Sequence, residues 1–156
     1  MTDLIIKEAL IKYSRYCACR EVCATDLKKK ILMDKKLQVT SSEVEKIIDQ
    51  LIDEGFINEE RFASAFVNDH FRFNKWGKIK IRYQLRSKGI QEDYIQTALN
   101  TIPASDYKEL LKELALKKWD KLASEDDIHK KRMKCANYLS SRGFESDLIF
   151  SELEKL

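Results

Sequence analysis

The stretch LRSKGIQEDYIQTAL, which starts at Leu85, is echoed by LSSRGFESDLIFSEL, which starts at Leu139. Both run from leucine to a basic residue three places on, then glycine, a large apolar residue, acids and an apolar helical stretch. Gly89 and Gly143 stand 54 residues apart. A similar step back reaches Lys35-Lys36-Leu37, where lysine replaces glycine but the acids and the apolar period still follow. A pattern that recurs at this spacing marks a structural unit written several times over. The glycines let the chain turn left-handed after a helix, Ile90 and Phe144 dock each turn, and the acids favour the start of the next helix through its dipole.

Chain breakers are scarce: 4 glycines and a single proline, Pro103, in 156 residues. Helix nearly throughout is the consequence. The expected class is all-α, with three tandem three-helix, helix-turn-helix-like repeats at residues 1–57, 58–103 and 104–156. In the first repeat, helices are expected from Leu4 to Cys19 and from Ala24 to Asp34. A third starts among Thr40-Ser41-Ser42, with Ser42 and Glu45 at capping-box spacing, and ends at Gly55. In the second, Glu59 to Asn74 is followed by a helix to Ser87 and one from Glu92 to Asn100. Pro103 marks the next boundary. The third repeat has a long helix from Ala104 to Leu122, another from Asp126 to Ser141, and a last one towards the carboxyl end.

Several function classes find no support. No apolar run approaches the ~18 residues of a membrane span and no secretory signal is seen, so a cytoplasmic protein without a membrane partner is expected. Cys17, Cys19 and Cys23 cluster while Cys135 is distant, and no CxxC pair occurs, so reduced and mostly buried thiols are expected and no metal. Gly-rich phosphate loops, Ser-His-Asp sets and HExxH motifs are missing. The expectation is no catalytic residue, no cofactor and no enzyme.

Charge is more telling in its distribution than in its sum of +3. Acids dominate from Glu43 to Glu60, whereas none occurs between Arg72 and Gln91. That second segment holds Arg72, Lys75, Lys78, Lys80, Arg82, Arg86 and Lys88, with Tyr83 among them. Turning about 100° per residue from Ile81 places Lys78, Gln84 and Leu85 within about 60° of it. Ile79, Tyr83 and Arg86 then fall on the opposite side, flanked by Lys80 and Arg82. A basic helix face with an apolar and an aromatic residue at its centre suits contact with phosphates, bases or an acidic protein surface. On the other reading, Ile79 and Tyr83 pack on a neighbouring helix and the lysines are solvated. A second basic run, HKKRMKCANYLSSR, supplies Lys130, Lys131, Arg132, Lys134 and Arg142. The lysines at 28–30 and 35–36 read as a solvated face. Phe62, Phe66 and Phe73 are expected in the core and Trp119 between helices, while Trp76 fits either role.

The middle repeat, NEERFASAFVNDHFRFNKWGKIKIRYQLRSKGI, resembles the central signature of the RecX family of bacterial regulatory proteins. The resemblance rests on Glu59-Glu60, Phe62-Ala63, Gly77, Lys80-Ile81 and Leu85-Arg86-Ser87-Lys88-Gly89-Ile90. LSSRGF and CREVCATDLKKKIL are similar to the flanking signatures, so the likeness spans essentially the whole chain. Lys80 stands where the family often has Arg, and Cys23 where it has Ser. The resemblance implies an elongated, curved array of the three repeats that binds the RecA–DNA nucleoprotein filament. It implies restraint of recombination and of RecA ATPase and coprotease activity, hence a part in the SOS response. Contact with single- and double-stranded DNA would be electrostatic and independent of sequence, and the protein a monomer. The alternative is a general DNA-binding protein of helix-turn-helix-like units acting without RecA.

Overall fold

The computed structural model describes residues 2–156. Among the described residues there are nine α-helices and no strand. They are α1 Thr2–Ala18, α2 Ala24–Leu32, α3 Ser41–Asp53, α4 Glu59–Arg72, α5 Lys78–Ser87, α6 Glu92–Asn100, α7 Ala104–Lys121, α8 Ile128–Ser141 and α9 Ser146–Leu153. The all-helical expectation holds. The chain forms two compact units, one of Met1–Ala65 with Arg86–Ile95 and one of Phe66–Leu85 with Gln96–Leu156.

In the first unit, α3 packs on α1 and α2. Its core takes Ala9, Tyr13 and Cys17 from α1, Leu27 and Ile31 from α2, and Val44, Ile47, Ile48 and Leu51 from α3. That is the helical i, i+3, i+4 stripe. The capping box lies two residues earlier than its sequence position suggested. Thr40, not Ser42, is the N-cap: its hydroxyl accepts from Glu43 N–H at 3.2 Å, and the Glu43 carboxylate accepts from Thr40 N–H at 2.9 Å. The helix accordingly begins at Ser41, and Val44, Ile47 and Ile48 lie on its buried stripe. The left-handed turn before α3 falls on Gln38 (φ 48°), beyond Lys35-Lys36. Gln38 is exposed and not β-branched, so a single left-handed residue is tolerated there. Gly55 closes α3 with φ 80°, and Gly55 N–H and Phe56 N–H reach back to the Ile52 and Leu51 carbonyls. This is the Schellman arrangement.

In the second unit, α7, α8 and α9 pack on one another. Leu111, Leu114 and Ala115 of α7, Cys135 and Leu139 of α8, and Ile149 and Leu153 of α9 are buried. Gly143 ends α8 as Gly55 ends α3, with φ 98° and the Phe144 N–H on the Leu139 carbonyl. Phe144 is 1% exposed. Asp127 caps α8 by accepting from His129 N–H at 2.9 Å, so the helix begins at Ile128. Tyr107 joins four segments of this unit. Its ring lies between Phe71 and Phe144, its hydroxyl donates to the Glu145 carboxylate, and the same oxygen accepts from Lys78 N–H at 3.0 Å.

Phe73 corrects the expected core. It is 79% exposed, while Phe71 is 4% exposed. The helix ends at Arg72, so its inner stripe runs Ala63, Val67, Phe71 and the period no longer applies at position 73. Phe62 is buried as expected, and Phe66 is half-buried against His70. Trp119 is half-buried on α7 with the Lys131 ammonium of α8 over its ring at 4.2 Å. Cys17, Cys23 and Cys135 are buried thiols and Cys19 is exposed.

Candidate interaction surface

Helix α5 is built by a short apolar stripe and little else. Ile81 and Leu85 are fully buried, and these two side chains fix its rotation. Ile79 and Tyr83, on the far side, are 53% and 68% exposed. An exposed isoleucine and tyrosine one turn apart form an apolar strip that folding has not used. The reading in which they pack on a neighbouring helix is set aside by this exposure.

The cations around the strip are held in two ways. Lys80 lies over the Trp76 ring, 4.7 Å from its centroid, and Trp76 in turn stacks on His70 at 4.3 Å with 14° between the planes. Lys78 leaves the strip and lies over Tyr107 at 4.8 Å. These are cation–π contacts, which keep the ammonium groups accessible. The other cations meet polar groups that lie outside this segment. Arg82 donates to the Gln96 side-chain oxygen at 2.6 Å. Arg86 forks onto the Glu92 carboxylate at 2.8 and 3.1 Å. Lys88 pairs with Asp26 at 2.7 Å, Arg72 with Asp106 at 3.3 Å and Lys75 with Glu113 at 3.6 Å. Folding therefore brings acids to a segment that has none of its own. Exposed pairs of this kind are worth only about 0–1 kcal/mol each and exchange readily for a phosphate or carboxylate of a partner.

The second basic run is spread more widely. Lys130 is exposed, Lys131 lies on Trp119, and Lys134 pairs with Glu125 at 2.6 Å. That hydrogen bond holds the Glu125 carboxyl below its ordinary range. Arg132 is half-buried. Arg142 turns inward: its guanidinium donates to the backbone carbonyl of Asn74, with the Lys75 carbonyl at 3.4 Å. It clamps the turn between α4 and α5 instead of standing on an open face. The expected surface thus gathers on α5 around Ile79, Lys80, Arg82 and Tyr83, with Arg86 at the end of the same helix. The Trp76–His70 stack beneath Lys80 was only half legible in sequence, since Trp76 approaches His70 through the non-helical turn 73–77.

Among the described residues no helix is long and apolar enough to cross a membrane. Residues 58–99 match the family model described as RecX, second three-helix domain, and residues 105–153 match RecX, third three-helix domain. The regulatory protein RecX of Clostridium botulinum is 30% identical over 151 residues, covering 92% of this chain and 68% of the relative. That of Chlorobium phaeobacteroides is 31% identical over 122 residues, covering 78% of each. Among solved structures, a regulatory protein RecX superposes with a TM-score of 0.86 at 24% identity, covering 99% of this chain and 74% of the other. RecX from Lactobacillus salivarius gives 0.82 at 23% identity, covering 100% and 98%. These two establish a shared fold, and the sequence relatives establish descent. The chain belongs to the RecX family of regulatory proteins.

Proposed function

We propose that this protein regulates RecA by binding the RecA–DNA filament, and that it acts by contact alone, without chemistry of its own. Its three repeats, 1–57, 58–103 and 104–156, supply the contact surface. Restraint of recombination, ATP hydrolysis and coprotease activity follows from filament growth being blocked or reversed. The observation that carries the reading is the outward strip of α5. Ile79 and Tyr83 stand in solvent between Lys80 and Arg82, on a helix whose inner face needs only Ile81 and Leu85.

A strip of this composition can press its apolar centre on protein while the cations meet phosphates or acidic side chains. The basic residues of α8 offer a second, electrostatic contact to DNA. Family membership supports the regulatory role, because the relatives carry that name. The test is binding of labelled protein to preformed RecA filaments, wild type against Ile79→Ser with Tyr83→Ala. Both positions are exposed, so the variant keeps its fold. Loss of filament binding at least tenfold is expected, and unchanged binding would remove α5 from the interface.

A further inference from the structure

The second unit carries an apolar groove that the α5 surface does not use. Two hollows of about 360 and 310 Å³ lie in line along the seam between α7 and α9, and both are lined by Glu152. Ala104, Leu111, Ala115 and Leu116 of α7 line the floor. Leu148 of α9 and Leu156 line the opposite wall. Leu116, Leu148 and Leu156 are each more than a third exposed. From Ala104 to Leu116 the helix advances about 18 Å at about 1.5 Å per residue, the length of roughly twelve residues of a second helix.

The charges around this groove decide what fits it. Its two acids are already engaged: Glu145 accepts the Tyr107 hydroxyl, and the buried Glu152 pairs with Lys155 at 3.3 Å. Lys78, Lys108 and Lys112 remain on the α7 side of the mouth, with Lys78 resting on the Tyr107 ring. An apolar floor with a lysine rim is complementary to a helix that has leucine-like residues on one face and acids beside them.

We propose that the α7–α9 groove is a docking site for an acidic amphipathic helix of a partner protein. The apolar stripe of that helix would sit on the exposed Leu116, Leu148 and Leu156, and its carboxylates would meet Lys108 and Lys112. This is a second interaction surface, independent of the proposed α5 contact.

Three fluorescein-labelled peptides of about fourteen residues test it by anisotropy. The first has leucines at i, i+3, i+4, i+7 and i+11 with glutamates elsewhere, the second has lysines in place of the glutamates, and the third is a scramble of the first. The acidic peptide is expected to bind with a dissociation constant of order tens of micromolar, and the other two at least about tenfold more weakly. Leu148→Glu, at a surface position, should weaken the acidic peptide at least about tenfold. Lys108→Glu with Lys112→Glu should move the preference towards the lysine peptide. Amide resonances of Leu116, Leu148 and Ser151 should shift on titration of the wild-type protein. Equal binding of acidic and scrambled peptides, no binding, indifference to Leu148→Glu in a variant of unchanged circular dichroism, or shifts confined to other residues would overturn the proposal. RecA and DNA are absent from the assay, so such a result would leave the α5 reading standing.

Discussion

Gly77 and Gly143 meet backbone to backbone. Gly77 N–H donates to the Arg142 carbonyl at 2.7 Å, and the Gly143 carbonyl accepts from Ile79 N–H at 3.0 Å. A Cβ on Gly77 would overlap the Gly143 carbonyl group, and one on Gly143 would overlap Lys80. The start of α5 is thus bonded to the turn after α8. The repeated glycine of the sequence supplies both a left-handed turn and the room for this approach.

Alanine substitution separates the two roles. Gly55 has φ 80° and open space around it, so Gly55→Ala should cost only about 1–2 kcal/mol, the strain of the left-handed backbone. Gly143→Ala adds overlap with the backbone of Lys80 and should cost roughly 3 kcal/mol or more. Urea denaturation of the two variants measures the difference. Equal losses would mean that the close approach carries no weight.

Tyr107→Phe keeps the ring between Phe71 and Phe144 but removes the hydroxyl. Glu145 and Lys78 N–H then lose their common partner, and the cost should be about 1–3 kcal/mol. Burial, with the Glu145 hydrogen bond, pushes the Tyr107 phenol well above its ordinary range. The wild-type ultraviolet titration should accordingly show this tyrosine still protonated when exposed ones have ionised.

Thiol chemistry should divide the cysteines. Burial pushes Cys23 up to about 11 and raises Cys17 and Cys135, whereas Cys19 is exposed. The thiolate is the reactive form. A chromogenic disulfide reagent at neutral pH should therefore titrate one thiol rapidly in the folded protein and all four after denaturation.

Acid stability has an identifiable contributor in Asp34. Hydrogen bonds from Lys12 and Tyr13 lower its carboxyl from 3.8 to about 2. The folded value lies below the unfolded one, so the contribution is present above the unfolded value and is lost as pH falls towards the folded one. Asp34→Asn should be less stable at neutral pH, and its stability should change less between about pH 4 and 2 than that of the wild type. Denaturation midpoints across that range check it.

Much of the fold was legible because its determinants are local. The glycine turns at Gly89 and Gly143, the docking of Ile90 and Phe144, and the inner face of α5 follow from helical period and backbone preference. What was not legible depends on partners distant in sequence. Phe73 fits the period of α4 but lies beyond its end, and Thr40 and Ser42 each have a glutamate three residues on, so the spacing alone does not choose the cap. On the candidate surface, the acid-free run from Arg72 to Gln91 reads as uniformly open charge. Asp26, Asp106 and Glu113 reach it only in three dimensions, Glu92 stands just past its end, and Arg142 is drawn to the Asn74 carbonyl by a turn that no local pattern specifies.

Electrostatics at the filament can be read from two changes. Arg82→Ala with Arg86→Ala should weaken inhibition of RecA several-fold while helical content is retained, since exposed pairs contribute only about 0–1 kcal/mol each to stability. If about six cations meet phosphates, DNA affinity should fall roughly a thousandfold between about 50 and 200 mM salt. A flat salt response would assign the contact to the RecA protein instead.

The most direct measurement is RecA ATP hydrolysis on single-stranded DNA, with this protein added after filaments have formed. A progressive fall in rate at substoichiometric amounts is expected, and much less of a fall with Ile79→Ser and Tyr83→Ala combined. An unchanged rate with RecA from the same source, or equal inhibition by the variant, would contradict this expectation.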